Sequence, residues 1–165
     1  MKRRVPAKKG KKPRKRAASE APRKRGQSNQ PSPASDSKLR AGLKASIERV
    51  VLREWTIASL DPRLPPVLST PHMIGLMEIA AAQAILAELP PGAISVGTRI
   101  EIDHLKAVPE GSTVRASACL VEQDGRFLAF EVEAHSGVHV IGRGRVFRAV
   151  VEPEKFTEKA RSRTT

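Results

Sequence analysis

Between Met73 and Leu89 the chain runs MIGLMEIAAAQAILAEL, seventeen residues rich in strong helix formers, and Pro90-Pro91-Gly92 closes the run. Alanine, leucine and methionine lose little freedom in a helix, and a proline pair stops one, so this stretch predicts a single long helix. A surface helix shows one apolar stripe; this run is apolar nearly all round, which predicts a helix buried by its surroundings. Seventeen residues would only just cross a bilayer, and the internal Glu78 and Gln83 make lipid a poor solvent for it. No membrane span is expected.

A helix that must be buried needs something to bury it, and the flanking sequence supplies strands. Ser46 to Leu60 (SIERVVLREWTIASL) is β-branched with interrupted alternation and reads as a strand or bent strand pair, ended by Asp61-Pro62 and Pro65-Pro66. After the helix the period drops to two: Ile94, Val96, Thr98, Ile100 and Ile102 share one face, and Ser95, Gly97, Arg99, Glu101 and Asp103 the other. Thr113 to Glu122, Phe127 to His135 and Val138 to Val151 follow as strands, separated by Gln123-Asp124-Gly125-Arg126 and Ser136-Gly137. The expected fold class is α+β, an antiparallel sheet wrapped around one long buried helix.

Charge divides the chain. Residues 1–40 hold 15 lysines and arginines against Glu20 and Asp36, whereas residues 41–165 hold 15 basic and 15 acidic residues. The whole net charge of +13 therefore sits in the first 40 residues, which also carry five prolines and no aromatic residue. Such a segment buries too little apolar surface to repay ordering, so residues 1–40 are expected to be a disordered basic tail and linker. Its physical capability is salt-sensitive, non-specific contact with nucleic acid or an anionic surface; a solvated tail with no partner is the alternative. The body is expected over residues 41–156, with 157–165 a flexible C-terminal end. The N-terminus lacks the apolar run of a signal peptide, and the one cysteine, Cys119, has no companion for a disulfide or zinc site, which fits a reducing, cytoplasmic setting. No metal site is expected.

Within an all-apolar helix Glu78 is an anomaly, because an unpaired buried carboxylate is expensive. It is either a structural carboxylate satisfied by backbone or a functional one. His104 falls in register with Ile100 and Ile102 and extends that face, so strand and helix are able to present both groups together. Thr70-Pro71 reads as an N-cap followed by a proline at the first helical position. This sets a condition: along an unbroken helix, Thr70 and Glu78 lie about 12 Å apart. A shared role requires residues 70–74 to fold back before a helix that starts near Gly75.

The segments STPHMIGLME (Ser69 to Glu78), SVGTRIEIDHLKAVPEG (Ser95 to Gly111), IGRG and FRAVV (within Ile141 to Val151) resemble hotdog-fold thioesterases, most closely the fluoroacetyl-CoA-specific group. The resemblance covers about Val50 to Phe156. It implies a hotdog fold and a catalytic set of Thr70, Glu78 and His104. The substrate-binding candidates are Leu64, Met73, Gly75, Gly97 and Gly142. It implies no cofactor, coenzyme A being part of the substrate, and a homodimer or dimer of dimers. One position departs: the aromatic gate of the fluoroacetyl-specific enzyme corresponds to Leu64, so the resemblance implies acyl-CoA chemistry and leaves fluoroacetyl selectivity open. His72, His135 and His139 have no motif support and read as surface or turn residues.

The expected activity is hydrolysis of a short or medium acyl-CoA thioester. A non-catalytic acyl-CoA sensor tethered to nucleic acid by the basic tail is the alternative, and a hotdog hydratase is a third reading.

Overall fold

The computed structural model describes residues 39–162. The expectations for a basic tail and its polyanion contacts fall on residues outside that range, apart from Leu39 and Arg40. Five strands form one antiparallel sheet: β1 (Lys44–Val50), β2 (Ile94–His104), β3 (Thr113–Asp124), β4 (Phe127–Ser136) and β5 (His139–Val151), in the order β1-β3-β4-β5-β2. Helix α1 (Thr70–Ile85) lies across the concave side, and a short helix α2 (Pro153–Arg161) follows β5. Residues 157–161, read from sequence as a flexible end, complete α2.

The core forms where α1 meets the inward residues of the sheet: Met73, Met77, Ala80 and Ala81 pack with Leu120, Phe130, Val132 and Val146. The β3–β4 and β4–β5 hairpins turn at Gly125 (φ 55°) and Gly137 (φ 57°), a left-handed conformation that a side chain would resist. Among the described residues no helix is long and apolar enough to cross a membrane.

Three sequence expectations change. The segment after β1 is not strand: beyond Val50 the chain makes two 3-10 turns, Arg53–Trp55 and Ile57–Ser59, closed by Thr56 and Ser59 hydroxyls on backbone carbonyls. Such local side-chain bonds compete with a strand ladder. Helix α1 is not buried all round: Ile79 is 47% exposed, Gly75, Glu78 and Ala82 share that open stripe, and Leu86, 67% exposed, continues it in the 3-10 turn Leu86–Glu88 that follows. Strand β2 does not keep one alternation, because its register against β5 slips between Gly97 and Arg99. Gly97 pairs with inward Arg148 and Ile100 with inward Val146, leaving Thr98 as the extra residue. A bulge of this kind moves every residue beyond it to the opposite face. Gly97 thereby faces α1 together with Ile100, Ile102 and His104, while Val96 faces away.

Candidate active site

Helix α1 starts at Thr70 and runs unbroken; Ser69 is the N-cap and Pro71 sits in the first turn. The fold-back required for Thr70 to reach Glu78 does not occur. Thr70 is the first helical residue and not the cap, and its hydroxyl is committed elsewhere.

That hydroxyl lies 2.8 Å from His104 Nδ1, across from the end of β2. On the other side of the ring, Nε2 lies 3.1 Å from the Lys106 carbonyl, which only accepts, so Nε2 carries the proton. In the neutral imidazole Nδ1 is then the acceptor and Thr70 O–H the donor. His104 is thus oriented as a base toward Thr70.

Glu78 belongs to a second cluster, two helical turns on. Its side chain is about one-third exposed and its Oε1 lies 3.4 Å from Arg148 Nη1. Arg148 is buried on β5 and is held by Ser95: Nε donates to Ser95 Oγ at 3.0 Å, and Nη2 to Ser95 O at 2.9 Å. Burial pulls the guanidinium below its ordinary pKa while the Glu78 charge opposes that shift; the group remains a cation. Gly97 completes the seat, since a Cβ there would run into Glu78 Oε1. Glu78 is therefore no unpaired buried charge: it stands on the open stripe of α1, ion-paired from beneath.

The other sequence candidates separate. Met73 is fully buried against Gly142, where an added Cβ would lie 2.6 Å from the Met73 thioether. That contact is packing, and Gly142 also pairs with His104 in the β2–β5 ladder. Gly75 faces open space one turn before Glu78. Leu64, 42% exposed, ends a turn closed by its own N–H on Asp61 O at 2.9 Å. His135, partly buried near the end of β4, pairs with Glu133, and exposed His139 at the start of β5 lies near Lys106. His72 is exposed in the first turn of α1, stacked on Trp55 at 5.9 Å with its Nδ1 2.8 Å from Ser69 Oγ. Because Ser69 spends its hydroxyl on His72, it caps no helix amide.

Arg148 and Ser95 escaped the sequence reading. A signal existed for Arg148: in RVFRAVV it takes the inward register between Val146 and Val150, where a cation needs a partner. Ser95 gave none.

Comparison with known proteins shows the family and the fold. A family profile described as fluoroacetyl-CoA-specific thioesterase (FlK) matches residues 51–154. The fluoroacetyl-CoA thioesterase of Streptantibioticus cattleyicolor is 39% identical over 132 residues, 76% of this chain and 95% of that protein. A solved structure of the fluoroacetyl-CoA thioesterase FlK superposes with a TM-score of 0.72 at 39% identity, covering 77% of this chain and 98% of the other. A Thermus thermophilus hypothetical protein of the thioesterase superfamily gives 0.70 at 28% identity, covering 76% and 93%. A hot-dog-like protein from Thermanaerovibrio acidaminovorans, at 21% identity and TM-score 0.70, shares the fold. The helix wrapped by a five-stranded antiparallel sheet is the hotdog fold, and the chain belongs to the fluoroacetyl-CoA-specific thioesterase family, a family of thioester hydrolases.

Proposed function

We propose that this protein hydrolyses a short or medium acyl-CoA thioester at a site shared by two copies of the chain, with Glu78 of one facing Thr70 and His104 of the other. The observation that carries the reading is the Glu78–Arg148 pair, a carboxylate seated over Gly97 on an open helix stripe. Among the described residues of one protomer nothing joins it to His104 or to Thr70, which lies about 12 Å away along α1.

The geometry of β2 supports a second copy. It is an edge strand, its ladder partner on one side only; Ile94 and Ile100 on it are exposed, as are Ile79 of α1 and Leu86 just past the end of that helix. Unpaired edges with apolar neighbours favour strand addition. Two β2 strands pairing antiparallel about Glu101, with Thr98 bulged as it is against β5, set Ile100 against Ile102 of the partner subunit. The same register brings Gly97, and the Glu78 above it, opposite His104 of the partner subunit. Arg99 then faces Asp103 of the partner subunit, a favourable cross-strand charge pair.

In this arrangement Glu78 attacks the thioester carbonyl or takes the proton of an attacking water; both uses need one carboxylate oxygen beside that carbon. The first-turn amides of α1 at Thr70 and His72, which Ser69 leaves uncapped, stabilise negative charge on the carbonyl oxygen. The proton that water loses, in its attack on the carbonyl or on the acyl–Glu78 anhydride, is taken by Glu78 or by His104 at Nδ1, with Thr70 holding the ring, and returned to the departing coenzyme A thiolate, so that thioester and water become acid and thiol. The reaction draws on these side chains and water, coenzyme A entering as part of the substrate. Leu64 in place of an aromatic gate favours substrates other than fluoroacetyl-CoA. Measuring free thiol release across a series of acyl-CoAs tests the reading: wild type turns over at least one member and Glu78→Gln none, with unchanged circular dichroism. Turnover retained by Glu78→Gln removes Glu78 from the chemistry.

A further inference from the structure

Helix α2 buries none of its own residues, yet beneath it opens a cleft of about 730 Å³. Its walls combine two chemistries. Pro90, Pro91, Val151 and the half-exposed ring of Phe156 form an apolar slot, and Arg126 and Lys159 stand over it. Lys155 and Glu152 neutralise each other at the mouth (2.7 Å), whereas neither Arg126 nor Lys159 forms an ion pair with an acid among the described residues. Glu154 is the one acid of the lining left without a cation. An aromatic ring for stacking beside two cations without an acidic partner, Lys159 and an Arg126 that lies over the Phe127 ring at 5.0 Å, is the pairing that a phosphorylated purine needs.

The place of the cleft fits that occupant. Its lining includes the end of β5 and the turn that leads into β2, Gly92 and Ala93, continuous with the strands that hold Arg148 and Gly97. Gly97 lies four extended residue steps from Ala93 at the cleft's edge, about 13 Å. A thioester carbonyl at Glu78 on a pantetheine arm running along the start of β2 delivers the nucleotide end there. The α2 wall, from Lys155 onward, lies beyond the stretch matched by the family profile.

We propose that the cleft under α2 binds the 3′-phosphorylated ADP end of coenzyme A, Phe156 stacking on the adenine and Arg126 and Lys159 pairing with phosphates. The proposal rests on the acyl-CoA thioesterase reading. Binding energy gathered there, remote from the reacting bond, holds the thioester in place.

The test compares one acyl group carried on coenzyme A and on pantetheine, using Phe156→Ala, Lys159→Ala, Arg126→Ala and their combination. The altered side chains are exposed or on the terminal helix, and circular dichroism confirms folding. The combined variant raises KM for the acyl-CoA about tenfold, leaves KM for the acyl-pantetheine unchanged, and leaves kcat unchanged for both. Equal shifts on the two substrates, or none on the acyl-CoA, overturn the proposal while the thioesterase reading stands. Calorimetry with adenosine 3′,5′-bisphosphate provides a readout without turnover. Binding by wild type that the combined variant loses supports the cleft even if no thioester is cleaved, an outcome that would instead sink the thioesterase reading. Undiminished binding by the variant overturns the cleft assignment.

Discussion

The Oε1 of Glu78 occupies the space that a side chain at residue 97 would fill, so the carboxylate's position depends on a glycine. The bulge at Thr98 turns Gly97 toward α1, and the missing Cβ lets Glu78 lie flat over the strand beside Arg148.

Gly97→Ala is therefore expected to displace the carboxylate without dismantling the fold. Misplacing a reacting group by an ångström costs about 10²-fold in rate. Steady-state kinetics should show that loss in kcat/KM, while thermal unfolding moves by only a few degrees.

Arg148 makes fork-shaped contacts to Ser95 and Glu78 that a lysine cannot reproduce. Arg148→Lys should lower kcat/KM about tenfold or more and destabilise the fold by about 1 to 3 kcal/mol, because Ser95 O and Glu78 lose charged donors. Urea denaturation beside kinetics separates the two effects. Wild-type kinetics in the lysine variant would mean that Arg148 only fills space.

At the other end of the helix, Thr70 O–H donates to His104 Nδ1. Serine keeps that donor and alanine does not. Thr70→Ser should stay within a few-fold of wild type, while Thr70→Ala should lose about 10- to 10²-fold in kcat. Equal rates for the two variants would separate Thr70 from the proton path.

Gly142 tests packing apart from chemistry. An alanine there meets the Met73 thioether at 2.6 Å inside a full core. Overpacking of this kind costs about 1 to 3 kcal/mol, read as a lower denaturation midpoint. An unchanged midpoint would show that Met73 swings aside freely.

The parts of this fold that were legible in the sequence are those set by local chemistry. Pro90-Pro91-Gly92 ends the helix, and Gly125 and Gly137 turn the hairpins. What was not legible depends on partners distant in sequence. The slip at Thr98 carries no local signal, since Thr98 suits a regular strand, and only pairing with β5 reveals that Gly97 faces inward. The apolar character of α1 suggested burial all round because Ile79 and Leu86 look like core residues. Their exposure in one chain is intelligible if a second copy covers them. The condition placed on residues 70–74 is not met: it required Thr70 and Glu78 of one chain to meet, and the helix begins too early for that.

The claim that two copies complete each site is tested most directly by mixing two inactive chains, one carrying Glu78→Gln and the other Thr70→Ala with His104→Ala. After subunit exchange about half of the dimers are mixed, and each mixed dimer holds one intact site of two. Roughly a quarter of wild-type thiol release should therefore return. If Thr70, Glu78 and His104 of a single chain form the site, every site in the mixture carries a defect and no activity returns.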